Sequence, residues 1–231
     1  MASVLTPRPA TWHRWRRHAG TTYSIYRGLL YEAIEGLPLK GRTLDLGGGR
    51  VNSYHHLLDV DGRIDTVNID PAVRPSVITN LNQHLPFADD TFDHVISLNT
   101  LEHVRDDLGF VHELVRVVAP GGSFHVGVPF LYRIHASPHD YHRHTAAWWQ
   151  EALVAAGADD ETLSIEPLIW DPLASAFSLV EFTRFRRLLK RPVMLYGVVA
   201  DLRWRKDARL PPHRARWADW ALGYYIEGRT R

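Results

Sequence analysis

Apolar and polar positions along the chain follow two rhythms. Short apolar runs at Arg42–Leu46, Ile64–Ile69, Ser76–Thr79, His94–Leu98 and Ser123–Val128 predict strands, with two more expected near Leu163–Trp170 and Ala221–Glu227. Between them the period lengthens to that of a helix. The clearest case is Asp106–Val118, where Leu108, Val111, Val115 and Val118 recur at helical spacing and Pro120-Gly121-Gly122 stops the run. Further helices are expected at Thr22–Glu35 and Thr145–Ala156. Alternating strands and helices predict a seven-stranded, mostly parallel α/β sheet with helices on both faces, whose ligands bind at the carboxyl ends of the strands. The chain reads as one domain over 1–231. An N-terminal helical segment (1–40) leads into a core (41–170), a helical insertion or lid (171–219) and a last strand (220–231). Within the insertion, Phe177–Leu189 and Val193–Trp204 each have a helical pattern.

Composition narrows the function classes. The 231 residues are 45% hydrophobic and 23% charged, which is ordinary for a globular protein. The arginine-rich start lacks an apolar signal segment and no stretch could span a bilayer, so a cytoplasmic location is expected. With no cysteine, disulfides, thiolate metal sites and a cysteine nucleophile are excluded. The net charge of +1 hides an asymmetry: residues 1–40 carry six Lys and Arg against two Asp and Glu, 41–181 eight against twenty, and 182–231 thirteen against four. Basic ends around an acidic middle can pair with that middle or face an anionic partner.

The strand Thr43-Leu44-Asp45-Leu46 runs directly into Gly47-Gly48-Gly49. Glycines at such a turn allow positive φ and remove Cβ atoms that would block a ligand, and a following helix would offer free N–H groups. Asp70 ends the apolar run Val67-Asn68-Ile69, 23 residues beyond Gly47, where a carboxylate can accept from both hydroxyls of a ribose. A turn-forming role before Pro71 is its ordinary alternative. A dinucleotide-dependent oxidoreductase would want Gly-x-Gly-x-x-Gly, and Asn52 stands at the third glycine position.

Five ordered elements together resemble the class I S-adenosylmethionine-dependent methyltransferases of the bacterial small-molecule type. They are Asp45-Leu46-Gly47-Gly48-Gly49, Asp70, Leu85-Pro86-Phe87 with Phe92-Asp93-His94-Val95-Ile96, Asn99–Val104 and Val117–Gly122. The resemblance covers about residues 40–130 and implies a three-layer Rossmann-like fold with S-adenosylmethionine as cofactor. It implies that Asp45, Gly47, Gly48 and Gly49 lie against the methionine part, with Asp45 orienting its amino group. It also implies that Asp70 holds the ribose, that Asn80 and Leu81 flank the adenine, and that Asn99 lies near the cofactor. Two positions depart from the family pattern: Asn80 stands where an Asp usually accepts from the adenine amino group, and Val51 where a third glycine is expected.

The acceptor side is expected in the segment after the fifth strand, where His135, His139, His142 and His144 surround Pro138, Asp140, Tyr141 and Arg143. A histidine there can serve as general base for a hydroxyl acceptor. His139 is the first choice, because Pro138 fixes its approach and Asp140 could orient its ring; His103 and Tyr141 are the other catalytic candidates. The alternative is that Asp140 and Thr145 cap the next helix and the histidines are loop residues. Methyl transfer gains much of its rate from positioning, so no base is required. Asn99, Glu102 and His103 resemble the Glu-x-x-Glu-His metal element of some O-methyltransferases, including the ubiquinone-biosynthesis type, with Asn99 in place of the first Glu. The expectation here is a packed, hydrogen-bonded Glu102–His103 pair and no metal.

The insertion places Arg184, Arg186, Arg187, Lys190 and Arg191 among Phe182, Phe185, Leu188 and Leu189. It reads first as a helix covering the active site, and second as a peripheral membrane contact through 177–206. No recognition module for nucleic acid is present. The expected activity is methyl transfer to a small molecule such as a glycan or secondary metabolite, chiefly at oxygen. A non-catalytic cofactor- or partner-binding member of the fold, or methylation of a lipid-linked acceptor at a membrane surface, are the alternatives.

Overall fold

The structure, a computed structural model, describes residues 3–136, 138–180, 186–204 and 213–231. In chain order the strands are β1 (Ser3–Val4), β2 (Pro38–Leu46), β3 (Asp59–Asn68), β4 (Val77–Ile78), β5 (Phe92–Leu98), β6 (Val118–Pro129), β7 (Ser164–Leu168) and β8 (Gly223–Arg229). They form one sheet in the order β1-β7-β8-β6-β5-β2-β3-β4. Pairing is parallel except where β8 runs antiparallel between β6 and β7. The seven expected strands are thus joined by an eighth, β1, which pairs with β7 from the chain start. Two residues are too short a run for any period to show.

Both faces of the sheet are covered. On one face, α3 (Asp107–Arg116) and α4 (Ala146–Ala156) pack Phe110, Leu114, Trp149 and Leu153 against Leu44, Val95 and Phe124. On the other, α2 (Ile25–Ile34), α5 (Pro172–Leu179) and α6 (Arg186–Trp204) contribute Leu29, Leu30, Ala174, Met194 and Val198 around Trp170. The short α1 (Trp12–His18) lies beside α6. Helix starts follow local chemistry: the side chains of Ser24, Asp106, Thr145 and Asp171 each accept from a backbone N–H of the first turn. Asp106→Ala, which frees the Gly109 N–H held at 3.0 Å, should lower stability by about 1 kcal/mol in denaturant titration.

Two expectations are corrected by tertiary contacts. The first concerns the insertion. Helix α5 ends at Leu179, with Val180 extended, so a helix over Phe177–Leu189 is interrupted. Residues 181–185, including Phe182, Arg184 and Phe185, and 205–212 lie outside the described residues. Helix α6 then runs unbroken through Pro192, where two helices were expected. Proline withholds one helical hydrogen bond, and contacts on both sides hold the chain helical across it. Lys190 Nζ donates to the Thr21 and Tyr23 carbonyls, Trp15 Nε1 to Arg191 O and Trp170 Nε1 to Met194 O.

The second correction lies after the glycines, where no α-helix forms. The chain instead makes a turn and a single 3-10 turn, His55–Leu57, before β3. Asn52 holds this turn: its Oδ1 accepts from the Tyr54 and His55 N–H groups, and its Nδ2 donates to Gly49 O. An Asn side chain that takes the backbone partners of an incipient helix favours a turn. The site therefore has no α-helix N-terminus at this point.

Candidate functional site

The sheet order reverses between β2 and β5, the kind of switch point where open α/β sheets bind ligands. A cavity of about 820 Å³ opens there, outside the carboxyl ends of β2, β3 and β5. Of the residues expected to hold the cofactor, Gly47, Asp70, Asn80, Leu81 and Asn99 line it, and of those expected to act on the acceptor, His103, His139 and Tyr141 do so. Asp45, Gly48 and Gly49 are not in its wall.

Asp45 is fully buried behind the turn, where Tyr54 Oη and His55 Nε2 each donate to its Oδ2 at 2.7 Å. Its Oδ1 is buried with no hydrogen-bond partner among the described residues. The glycines are required by the chain's own atoms. Gly47 has φ +89°, and a Cβ on it would lie 2.0 Å from Thr100 Oγ1; on Gly48 it would lie 1.8 Å from Asp45 Oδ2, and on Gly49 2.3 Å from Val73 O. These clashes need no ligand to explain the run. Asn68 supports the turn by donating from Nδ2 to Gly47 O.

Asp70 fills the turn role with one oxygen and leaves the other on the cavity wall. Its Oδ1 accepts from Ala72 N at 2.8 Å, as the turn role requires. Its Oδ2 has no protein partner among the described residues, and the residue is exposed on the cavity wall. Asn80 does not present its carbonyl oxygen, because Asn82 donates to it from both its backbone N (3.0 Å) and its Nδ2 (2.8 Å). Asn82 Oδ1 in turn accepts from Arg105 N and Asp106 N. The Asn80 amide N–H groups are what remain for a base in the cavity. Asn99, at φ +54°, is fixed by Tyr26 Oη donating to its Oδ1 at 2.7 Å. Ile69, Val73 and Val104 add apolar wall that was not anticipated.

On the acceptor side, Asp140 does not orient His139. Its carboxylate accepts from Arg143 and from His135 N. Opposing effects act on the Asp140 carboxyl: burial alone would raise its pKa, but bonds from Arg143 and His135 N outweigh that and hold it at about 2. His139 is exposed at the cavity rim, its ring 5.5 Å from that of Tyr141. Its carbonyl accepts from His103 Nδ1 at 2.6 Å. This bond sets the His103 tautomer and leaves its Nε2 as an acceptor.

Glu102 is 1% exposed, and neither of its oxygens has a hydrogen-bond partner among the described residues. Its Oε1 lies 3.8 Å from His103 Nε2 and 3.8 Å from His135 Nε2, too far for the hydrogen-bonded Glu102–His103 pair that was expected. Burial pushes the Glu102 carboxyl up to about 8. Glu102, His103 and His135 together could hold a cation, as could Asp107, His142 and His144.

Residues 44–126 match the methyltransferase domain family. An uncharacterized methyltransferase of Mycobacteroides abscessus is 32% identical over 108 residues, 40% of this chain and 42% of that protein. The chain spans less than half the length of the curated relatives it matches. Among solved structures, a chain in the complex of the Haloferax volcanii Trm112 methyltransferase activator superposes with TM-score 0.54 at 16% identity, over 93% of this chain and 90% of that one. Haemonchus contortus phosphoethanolamine N-methyltransferase 2, in complex with S-adenosylmethionine, gives 0.51 at 12% identity over 87% and 51%. The matched segment contains β5 and most of β6, together with the cavity-lining turns after β2, β3 and β5, so residues 44–126 of this chain are similar to the methyltransferase domain family, and the chain shares the α/β fold of those solved structures.

Proposed function

We propose that the chain transfers a methyl group from S-adenosylmethionine to a small molecule such as a glycan or secondary metabolite, at an oxygen in preference to a nitrogen or carbon. One observation carries this reading. A single cavity at the switch point brings together Gly47, Asp70, Asn80, Leu81 and Asn99 from the cofactor side and His103, His139 and Tyr141 from the acceptor side.

The wall suits the cofactor chemically. The free carboxylate oxygen of Asp70 can accept from a ribose hydroxyl, the Asn80 amide can donate to a ring nitrogen, and Ile69, Val73 and Leu81 offer apolar surface to a planar base. When bound, the cofactor supplies a methyl group on a sulfonium. The residues of this chain hold the two reactants in line, which is a large part of catalysis in such a displacement. His103 Nε2 can take the proton of an acceptor hydroxyl, and His139 and Tyr141 close the rim.

A screen with S-adenosylmethionine labelled in its methyl group, run over classes of hydroxylated small molecules, tests this reading. It predicts label on an acceptor; cofactor binding with no transfer to any class would favour a non-catalytic member of the fold. In the same assay Asp70→Ala should weaken cofactor affinity by about 1–3 kcal/mol, the loss expected for a charge-assisted hydrogen bond. Unchanged affinity would place the ribose elsewhere.

A second reading, a lipid-linked acceptor met at a membrane surface, is favoured by Leu188, Tyr196 and Val199, which are exposed along α6. No helix among the described residues is long and apolar enough to cross a membrane. Co-sedimentation with anionic vesicles tests the surface contact, and no pelleting above the vesicle-free control would remove it.

A further inference from the structure

The segment between Asp140 and the start of α4 forms neither helix nor strand, and it brings residues two positions apart to one side. His142 and His144 are such a pair, and both face Asp107, the first residue of α3. Their rings are nearly parallel, at 17° with centroids 5.1 Å apart. The other neighbours of each group set its orientation. Trp148 stacks on the His144 ring at 7°. His142 Nε2 donates to Arg105 O at 3.1 Å, which leaves His142 Nδ1 as a bare lone pair. Leu108 N donates to Asp107 Oδ1, so Oδ2 is the oxygen left for the rings.

Three electron-pair donors therefore converge. Asp107 Oδ2 lies 2.9 Å from His144 Nε2 and 3.7 Å from His142 Nδ1. The short approach lacks the alignment of a good hydrogen bond: His144 Nε2 is buried and has no well-aligned hydrogen-bond partner among the described residues. The spacing suits a shared ion instead. Ligands held at about 2.0–2.1 Å around one tetrahedral ion stand roughly 3.3 Å from each other, between the two distances observed. A backbone carbonyl on the far nitrogen of a histidine, as Arg105 O is for His142, is the usual support of a metal-bound imidazole.

We propose that Asp107, His142 and His144 bind one divalent transition-metal ion, of the zinc, cobalt or nickel type that two imidazoles and a carboxylate favour over magnesium or calcium. The ion joins the start of α3 to the loop that carries His139 and Tyr141, and so clamps the acceptor wall of the cavity against the sheet. It is separate from the group of Glu102, His103 and His135, where both histidine nitrogens stand 3.8 Å from the Glu102 carboxylate. The site does not depend on which molecule is methylated.

The full chain, stripped with a chelator, would be titrated with Zn²⁺ by calorimetry and with Co²⁺ by visible absorption. The proposal predicts one ion per chain and tetrahedral cobalt bands. Asp107→Asn and His144→Ala should each weaken binding by about 100-fold or more, while Glu102→Gln binds as the wild type does. Because His144→Ala also removes a stacked ring, His142→Ala provides an independent variant whose fold is checked by circular dichroism. Hydrogen exchange over 131–145 should slow on adding Zn²⁺ to the wild type and not to Asp107→Asn. Absence of saturable binding at millimolar metal would overturn the site. So would binding that survives all three ligand substitutions and is lost in Glu102→Gln. Binding without slowed exchange would overturn the clamp.

Discussion

Replacing His103 with alanine should lower turnover by about 10²- to 10⁴-fold while S-adenosylmethionine binds as tightly as before, the loss expected on removing a positioned general base. The geometry favours His103 over His139. Its Nδ1 proton is committed to the His139 carbonyl at 2.6 Å, which fixes both ring plane and tautomer, and it stands on the turn directly after β5, on the wall of the cavity. His139 is exposed and has lost the carboxylate that would have oriented it. His139→Ala should therefore act mainly through a raised acceptor KM. Steady-state kinetics on both variants separates the roles. Equal kcat for His103→Ala and wild type would leave positioning as the source of the rate.

Glu102→Gln should raise stability most at alkaline pH. A carboxyl whose pKa rises from 4.5 in the unfolded chain to about 8 in the folded one holds its proton in the native state over a range where the unfolded state has released it. Stability then falls as pH rises from about 4.5 to 8 and levels off above that. A neutral amide removes this loss. The gain should be negligible near pH 4 and on the order of 3–4 kcal/mol near pH 8, less whatever the unpaired amide loses. Urea titrations of both proteins at pH 5 and pH 8 measure it, and an identical pH dependence would mean that Glu102 is ionised in the folded state.

Much of the fold could be read from the sequence because burial imposes a period. The strands around β2, β3, β5 and β6 were expected within a few residues of their observed centres, since each carries an apolar run that a buried parallel sheet requires. The turn after Gly49 was not, because the Asn52 side chain, rather than any periodic signal, holds it. The protein partners of Asp45 were not foreseen for a related reason. Its partners Tyr54 and His55 follow within ten residues, and nothing in residue type separates a carboxylate held by its own chain from one offered to a ligand. The places of Asp70, Leu81 and Asn99 on the cavity wall were legible because each sits just beyond the end of a strand. The approach of His135 to Glu102 spans 33 positions and is created only when the loop after β6 folds back over the turn after β5. Asn82 could have been noticed: two residues after Asn80, it shares the short polar turn that both form.

On the proposed function, the cavity between β2, β3 and β5 holds S-adenosylmethionine. Calorimetric titration of the wild-type chain with the cofactor, with its demethylated product as a parallel ligand, tests it most directly. The account predicts one site per chain for each ligand and a Kd that rises in Asp70→Ala by about 5- to 150-fold, the equivalent of 1–3 kcal/mol. Absence of heat at millimolar cofactor from a folded chain, or saturable binding that Asp70→Ala leaves untouched, would contradict it.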